Sequence, residues 1–336
     1  MFQADDVQIR LLVDNWVDML LPDAHVHTGI CQVDVERWGL VEHFDPRLLP
    51  PQAENGISLL VKVTKDRRST NILFDAGLTG TVLRHNLHAF NEDPASIDCL
   101  VLSHGHPDHY GGVYEFLNMT EHRVPVVTHT DAFLPRFAMM GGGRSSTFYN
   151  ARLDSADIEE SGGRIVTTRE PVELGWGVRT SGEIPRATAY EGTPEPGAIG
   201  APGLYQIRQD GRFVVDQVTD EQALIIDVRD RGLVVITGCG HAGAVNTVAK
   251  AVALYEGKRP VAALIGGCHL GFPTTPTENI ARTIVALQEV GVGCVMPMHC
   301  SGLAAVAAFR EAFGQGFIQP SIGTVVRIGD RSTSEV

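Results

Sequence analysis

The chain has 336 residues, of which 43% are hydrophobic and 20% are charged, a composition typical of a folded soluble protein. Its formal net charge of −13 argues against nucleic-acid and anionic-membrane partners, which need a basic surface, but bound metal would still allow an anionic substrate. No apolar run is long enough to span a membrane, and the N-terminal segment has acids where a signal peptide needs bases, so we expect a cytoplasmic protein.

Strand and helix patterns alternate along the first half of the chain. VQIRLLVDN predicts the first strand, and residues 20–55, rich in Pro, His and Asp, are expected to form a long loop excursion. ISLLVKV, TNILF, IDCLVLS and VPVVTH predict further strands. Helices are predicted over TVLRHNLHAF, GGVYEFLNM and TDAFLPRFAM.

The second half opens with residues 140–215, which are rich in Gly, Ser and Pro. Short strands (GRIVTT, VRTSGE) and an exposed loop, EGTPEPGAIGAPG, are expected there. QALIIDV and GLVVITG predict a hairpin, after which the strands VAALIGG, CVMPMH and GTVVRIG alternate with three helices. This interleaving predicts an α/β layered fold, and we expect one domain over residues 1–336 with loop excursions near 20–55 and 140–215.

The stretch LSHGHPDHYGG, directly after an apolar strand, concentrates four side chains that can bind a metal. His104, His106 and Asp108 are spaced by two, so in an extended turn they would project to one side, with His109 offset to the other. Imidazole and carboxylate groups suit zinc, iron or manganese, and α/β ligand sites lie at the C-terminal ends of strands. We therefore predict a metal site here; a polar surface turn is the alternative.

HxHxDH after an apolar strand resembles the metal-binding signature of the metallo-β-lactamase superfamily. The resemblance implies an αββα sandwich of two mixed β-sheets flanked by helices, with one or two metals at one edge. Carried over residue by residue, it assigns His104 and His106 to the first metal. Asp108 and His109 would bind the second. Asp75 in LFDAG matches an aspartate at the edge of that site, although a simple turn former is the alternative.

Downstream, the same resemblance implies further ligands, with two departures from the family pattern. His299 in MPMHCSG matches the family's last histidine. In LVVITGCGHAG, Cys239 replaces a metal-bridging aspartate and His241 follows it; a thiolate or an imidazole suits zinc, and we favour His241 while leaving Cys239 open as a ligand. Glu183 in RTSGEIPR stands where the family has an isolated histidine, and it would either bind metal or form only hydrogen bonds and salt bridges at the rim.

Several further segments are similar to one branch of that superfamily. LVDN, AENGISLLV, TSGEIPR, DEQALII, TGCGHAGAVNTV, IGGCHL and PMHCSG resemble the branch that contains dihydropterin-methyl-ribofuranosylaminobenzene-phosphate synthase. The branch also contains many relatives called metal-dependent hydrolases. Because the synthase is a transferase that releases diphosphate, membership in the branch does not fix the reaction.

Three features are candidates for substrate contacts or proton transfer. GCGHAGAVNTV is a Gly-rich turn leading into a helix, whose N-terminal N–H groups and dipole attract anions, so Gly240 and Gly243 are predicted to contact a phosphate or carboxylate. A tight turn that only directs His241 is the alternative. Arg186 in GEIPR would clamp an anionic group or lie exposed. His269 in IGGCHL would act as a proton donor or be a buried structural histidine.

These residues together predict a metal-dependent hydrolase acting on a small, anionic substrate. One or two divalent metals, zinc with manganese or iron as alternatives, would activate water, and Asp108 would bind metal or accept the water's proton. A transferase that releases diphosphate is the first alternative, and a non-hydrolytic metal-bound sensor or redox protein is the second. We expect no nucleic-acid or membrane partner, and a homo-oligomer stays open.

Overall fold

Two β-sheets face each other across the middle of the molecule in the computed structural model, which describes residues 2–39, 49–140, 144–146, 152–192, 203–272 and 275–329. The strands, in chain order, are β1 (Asp6–Val13), β2 (Ala24–His27), β3 (Gln32–Glu36), β4 (Ser58–Lys65), β5 (Arg68–Phe74), β6 (Cys99–Val101), β7 (Val124–Thr128), β8 (Arg136–Met140), β9 (Arg144–Ser146), β10 (Gly163–Thr167), β11 (Glu173–Gly175), β12 (Val178–Thr180), β13 (Gly203–Ile207), β14 (Phe213–Val215), β15 (Leu224–Val228), β16 (Gly232–Thr237), β17 (Val261–Gly266), β18 (Cys294–Pro297) and β19 (Val325–Gly329).

Helices cover the outer faces of both sheets. They are α1 (Gly80–Ala89), α2 (Pro107–Tyr110), α3 (Val113–Asn118), α4 (Ser155–Glu160), α5 (Ala244–Leu254), α6 (Thr277–Val290) and α7 (Gly302–Phe313). Within the described ranges, none of the helices has the length and apolar character needed to cross a membrane.

The first sheet is mixed, with the strand order β10-β7-β6-β5-β4-β1-β19-β3-β2. Strands β5, β6, β7 and β10 are parallel to one another, whereas β5, β4, β1, β19, β3 and β2 pair antiparallel in that order. In β1 the buried residues alternate with half-buried ones over its first six positions, the period-two pattern of a strand with one face against the core.

The second sheet has the order β11-β12-β15-β16-β17-β18. β15 and β16 form the predicted hairpin, and β16, β17 and β18 are parallel neighbours connected through α5 and α6. Every residue of β15, β16 and β17 is buried, which explains why the sequence of these strands is apolar without alternation. The C-terminal ends of β16, β17 and β18 consequently lie at one edge of the sheet.

Three apolar clusters hold the layers together. One lies between the two sheets, a second joins the first sheet to α1 and α3, and a third joins the second sheet to α5, α6 and α7. Burial of these side chains is the main favourable contribution to folding. The layer order is therefore helix, sheet, sheet, helix, and the predicted αββα sandwich is confirmed.

The structure differs from the sequence prediction over TDAFLPRFAM. Only a short 3₁₀ turn forms at Thr130–Phe133, and the chain then enters β8. Pro135 explains the difference, because proline lacks an N–H and disfavours helical backbone at the residue before it. β8 belongs to a further four-stranded antiparallel sheet, β14-β13-β8-β9, which the sequence pattern did not reveal.

The two expected loop excursions contain regular structure. Within residues 20–55, β2 and β3 extend the first sheet, and residues 40–48 lie outside the described residues. Residues 140–215 contain several short strands and α4, while most of EGTPEPGAIGAPG lies outside the described residues. LSHGHPDHYGG is also not fully extended, because α2 begins at Pro107, a residue favoured in the first turn of a helix.

Candidate metal centre

Potential metal ligands converge at the edge where parallel strands of both sheets end. Asp75 follows β5, and the HxHxDH motif follows β6 in the first sheet. Cys239 and His241 follow β16, and His299 follows β18 in the second sheet. The loops at the C-terminal ends of parallel strands share one edge, which is why residues distant in sequence meet here.

The first donor set consists of His104, His106 and His241, whose ligand atoms lie within 4.8 Å of one another. All three side chains are buried. His104 Nδ1 donates to Ser103 Oγ at 2.9 Å. Its Nε2 has no hydrogen-bond partner among the described residues, and neither ring nitrogen of His241 has one. This set therefore offers buried nitrogen atoms to a ligand.

The second donor set consists of Asp108, His109, Cys239 and His299. Cys239 Sγ lies 3.2 Å from His109 Nε2 and 3.3 Å from His299 Nε2. His299 Nε2 lies 3.4 Å from Asp108 Oδ2, and Asp108 Oδ1 lies 3.8 Å from His109 Nε2 and has no hydrogen-bond partner in the described part of the chain. The two sets are adjacent, since the ring centroids of His104 and His109 lie 4.1 Å apart.

The protonation of His104, His241 and Asp108 favours cation binding, whereas His299 must lose a proton when a metal binds. Burial, reinforced by neighbouring histidines, lowers the pKa of His104 and of His241 well below the usual value, so both rings are neutral at neutral pH. Burial opposes ionisation of Asp108, but His109 and His299 hold its pKa below the usual range. Burial likewise opposes protonation of His299, but Cys300 and Asp108 raise its pKa to about 9.

The residues present fit a divalent metal in each set. Buried nitrogen and oxygen atoms without hydrogen-bond partners in the described residues destabilise a fold unless something binds them, and five of the fifteen such side-chain atoms lie in these two sets. Neutral imidazole, carboxylate and thiolate are the ligand types that zinc and related transition metals take. The metal that the HxHxDH motif predicts therefore agrees with the donor chemistry of the site.

Asp75 orients His109. Its Oδ2 accepts hydrogen bonds from His109 Nδ1 and from Ser103 Oγ, both at 2.7 Å, and its Oδ1 accepts one from Ser103 N at 2.7 Å. Asp75 is fully buried and has a φ of +59°, a conformation that aspartate tolerates better than most residues. Because His109 Nδ1 is held, its Nε2 faces Cys239 and the second donor set.

A buried ion-pair network orients His106, and sequence reasoning missed it. His106 Nε2 donates to Asp216 Oδ2 at 3.2 Å, and Arg136 Nε donates to the same oxygen at 2.7 Å. Arg136 also donates to Asp220 Oδ1 at 2.6 Å, and Asp220 Oδ2 accepts from Gly105 N at 2.8 Å. Since the acids lie more than 100 positions after the motif, the only available signal was DQVTDEQ, an acidic stretch directly before an apolar strand.

Asp14 and Asn15 hold the loop of His299 and were also missed as functional residues. Asp14 Oδ1 accepts from His299 N at 2.9 Å, and Asn15 Nδ2 donates to His299 O at 2.8 Å. Burial raises the pKa of Asp14 to about 6, although backbone N–H groups of Asn15 and His299 oppose the shift. The signal in the sequence was LVDN, a polar pair at the end of an apolar strand.

Glu183 does not join either donor set. Its carboxylate forms an ion pair with Arg169 and accepts a hydrogen bond from His129 Nε2 at 3.1 Å, and its side chain is 43% exposed. The contacts agree with the alternative stated above, in which Glu183 forms hydrogen bonds and salt bridges at the rim. Arg169 is itself held by Asp131 at 2.7 Å, so the whole cluster is internally paired.

The anion site predicted at Gly240 and Gly243 is filled by the chain's own carboxylates. Glu221 accepts hydrogen bonds from the backbone N–H groups of Gly240, His241 and Ala242. Glu191 accepts from the first turn of α5, with distances of 2.9 and 3.0 Å. The N–H groups of this turn are therefore already paired, and a substrate contact at the two glycines stays a prediction. Both have positive φ, of +79° and +103°, and serve the turn that directs His241.

Arg186 and His269 lie near the donor sets. Arg186 Nη2 donates to Val218 O at 3.2 Å, and the side chain lines a cavity of about 660 Å³ that also reaches Ala242, next to His241. The ring centroid of His269 lies 4.0 Å from that of His241. His269 Nδ1 is buried and has no partner in the described residues. Anion binding by Arg186 and proton donation by His269 therefore stay predictions.

Comparison with known proteins adds the family. A sequence model of the metallo-beta-lactamase superfamily matches residues 58–245. The 7,8-dihydropterin-6-methyl-4-(beta-D-ribofuranosyl)-aminobenzene-5'-phosphate synthase of Methanocaldococcus jannaschii is 32% identical over 305 residues, which cover 89% of this chain and 99% of that protein.

Two solved structures share the fold. Tm1679, described as a metal-dependent hydrolase of the beta-lactamase superfamily, has a TM-score of 0.68 at 23% identity, covering 96% of this chain and 100% of that one. The metallo-beta-lactamase fold protein YhfI from Bacillus subtilis has a TM-score of 0.50 at 13% identity, covering 96% and 99%.

The αββα sandwich with donor sets at one edge defines a class of metal-binding enzymes. The chain belongs to the metallo-β-lactamase superfamily. The resemblance to the branch that contains the synthase is confirmed by the M. jannaschii protein.

Proposed function

We propose that the chain is a metal-dependent hydrolase of a small anionic substrate that carries a phosphoester or carboxylate. The observation that carries this proposal is the pair of buried donor sets, rich in atoms without partners among the described residues, beside an arginine-lined cavity. Membership in a superfamily that contains hydrolases supports it.

Each donor set would bind one divalent ion. His104, His106 and His241 would hold one divalent ion. The second ion would be held by Asp108, His109, Cys239 and His299. Zinc suits these donors best, because imidazole and thiolate dominate, with manganese or iron as alternatives. When bound, the metals would polarise the scissile group and lower the pKa of water, so that hydroxide is available at neutral pH.

The protein's own residues would position the reactants and move protons. Asp108 has a lowered pKa, and its Oδ1 has no hydrogen-bond partner in the described structure, so it would accept a proton from the attacking water within hydrogen-bond reach. Asp75 and Asp216 hold the rings of His109 and His106. His269 as a proton donor stays a prediction, and its contacts with two cysteines favour another role.

The cavity of about 660 Å³ supports an anionic substrate. Four arginines line it: Arg169, Arg186, Arg208 and Arg212. Asp131 and Glu183 neutralise Arg169, and Asp210 pairs with Arg212 at 2.7 Å. Burial lowers the pKa of Arg186, so a further negative charge beside it would be stabilising. These pairings favour Arg186 and Arg208 as the residues that bind the anion.

A transferase that releases diphosphate is the second candidate function. The specific observation that favours it is the 32% identity to the M. jannaschii synthase over nearly the whole of that protein. Metals held by the donor sets would then bind the diphosphate of the substrate, and an acceptor in place of water would attack the carbon that carries it, so that diphosphate leaves. The two functions differ in a simple way: the transferase releases diphosphate only when an acceptor is present.

The test is a substrate panel with metal-loaded protein. Phosphomonoesters, phosphodiesters, nucleoside diphosphates and lactones are incubated with and without amine acceptors, and phosphate, diphosphate and acid release are measured. For a substrate that turns over, Arg186→Ala and Arg208→Ala are expected to raise KM by about tenfold to hundredfold with little change in kcat, because each removes a charged hydrogen bond. Arg229→Ala, whose side chain pairs with Asp5 at a partly exposed position, is the matched control.

Turnover that requires an acceptor would replace the hydrolase proposal by the transferase. No turnover on any substrate, by protein that holds its metals, would favour a sensor. Three expectations for the chain as a whole also stay proposals: one domain over residues 1–336, a cytoplasmic location, and small molecules as the partners. The apolar cluster shared by the two sheets supports the single domain.

A further inference from the structure

A third group of potential ligands lies beside the two donor sets. It consists of Cys239, His269 and Cys300, whose two Sγ atoms and one ring nitrogen lie within 4.8 Å of one another. Cys239 is shared with the second donor set, whereas His269 and Cys300 belong to neither of the two sets. Two sulfur atoms and one imidazole make this the softest donor group of the three.

The parallel arrangement of β16, β17 and β18 brings the three residues together. Cys239 follows the end of β16 at Thr237, His269 follows the end of β17 at Gly266, and Cys300 follows the end of β18. Each residue lies within three positions of a strand end. The three loops therefore lie at the same edge of the sheet, and each loop contributes one ligand.

The backbone conformation at His269 and the close packing at Gly267 hold the three side chains near one another. His269 has a φ of +50°, a left-handed conformation that costs about 1 kcal/mol for a residue other than glycine and persists only where the surroundings impose it. Only glycine fits at position 267, because a Cβ there would lie 2.8 Å from Cys300 Sγ and 2.7 Å from Cys239 O. Cys300 Sγ donates to Cys239 O at 2.8 Å, so the two loops touch.

We propose that Cys239, His269 and Cys300 bind a thiophilic divalent ion of the zinc type, distinct from the ions of the two donor sets, with the Cys239 thiolate shared between this ion and that of the second donor set. His269 Nδ1 is buried and lacks a partner in the described residues, which is expected of a ligand awaiting a cation. Ligand atoms around a tetrahedral zinc with these donors are about 3.5 to 3.8 Å apart, so each pair of ligand atoms needs to approach by about 1.3 Å at most.

An ion at this site would stabilise the positions of neighbouring metal ligands. The ion would tie together the three loops that also carry His241 and His299, and would thereby fix ligands of both donor sets. Its fourth coordination position would be left to water, since only three protein ligands are present in the group. In this assignment His269 is a metal ligand and not a proton donor.

Cobalt titration of the full-length, reduced, metal-free protein tests the proposal. Thiolate bound to cobalt gives charge-transfer absorption in the near ultraviolet, and elemental mass spectrometry counts the zinc equivalents that the same protein binds. We expect Cys300→Ser to lose one equivalent and about half of the thiolate absorption, because one of two thiolates is lost. His269→Ala is expected to lose the same equivalent and keep a residual thiolate band from Cys239. Cys268→Ser, a buried cysteine outside the group, is the control and should match the wild type.

Two results would overturn the proposal. The first is wild-type stoichiometry and an unchanged cobalt spectrum in both Cys300→Ser and His269→Ala. The second is a Cys239–Cys300 disulfide in protein purified under reducing conditions, because oxidised sulfur does not bind zinc. Circular dichroism checks the fold of each variant, and His269→Ala, at a half-buried position, tests the proposal if Cys300→Ser does not fold. His104→Ala with His106→Ala removes the first donor set but should leave the thiolate absorption, so failure of the proposed hydrolase site would be recognised separately.

Discussion

Asp216→Asn tests the network that orients His106. The substitution keeps the size of the side chain but removes the negative charge that faces Arg136 Nε at 2.7 Å and His106 Nε2 at 3.2 Å. Arg136 is then left with Asp220 as its carboxylate partner, in a site where all three side chains are buried. The change therefore creates an incompletely balanced charge and loosens a metal ligand at the same time.

The expected effects follow from the burial of the pair. Removing one partner of a buried ion pair costs about 3–5 kcal/mol, and because Asp220 remains, we expect about 3 kcal/mol of unfolding free energy to be lost. Removing the carboxylate that holds a ligating histidine typically lowers metal affinity about tenfold to hundredfold. Both losses should appear together, since one side chain supplies both contacts.

Urea unfolding followed by far-UV circular dichroism measures the first effect on metal-free protein, and competition with a chromophoric chelator measures zinc affinity. Glu256→Gln is the matched control, because its carboxylate pairs with Lys258 at a site where both side chains are 74% exposed, and it should change neither quantity. A stability loss below about 1 kcal/mol together with unchanged zinc affinity would refute the reasoning.

Three further changes test other parts of the site. Asp75→Asn suits the left-handed backbone but weakens the hold on His109, so zinc affinity measured by chelator competition should fall about tenfold to hundredfold, and unchanged affinity would contradict the orienting role. Glu221→Gln leaves one amide oxygen for three backbone N–H groups and should lower the free energy of urea unfolding by about 1–3 kcal/mol; wild-type stability would show that the turn does not need the carboxylate. Removing metal with a chelator should lower the thermal midpoint and added zinc should restore it, whereas equal midpoints would mean that the folded state binds no metal.

The metal motif and the α/β class could be predicted because their signals are local, whereas the αββα layer order was implied by the family resemblance. His104, His106, Asp108 and His109 lie within six positions after an apolar strand, and no long-range information is needed to bring them together. The apolar runs of β15, β16 and β17 likewise report burial on both faces. Cys239, His241 and His299 needed more: only the family pattern related them to the motif, and parallel strands explain their convergence.

The parts that sequence reasoning missed depend on distant partners. Nothing near His106 in the sequence indicates that Asp216 and Arg136 would meet behind its ring. The GCGHAG turn depends on distant residues in the same way: its local pattern predicts an anion at the N–H groups, and Glu221 and Glu191 bring carboxylates there from other segments. The local sequence shows that the N–H groups of the turn attract a negative charge. Only the tertiary structure shows which residue supplies that charge.

The most direct test of the account is the metal content of protein purified without added metal, measured by elemental mass spectrometry beside a His104→Ala, His106→Ala double variant. The account predicts at least two equivalents of zinc, manganese or iron per chain, with a clear loss in the variant, because that variant removes two of the three ligands of the first donor set. No bound metal in the wild type, and none after reconstitution, would contradict the proposal that this site is a metal centre.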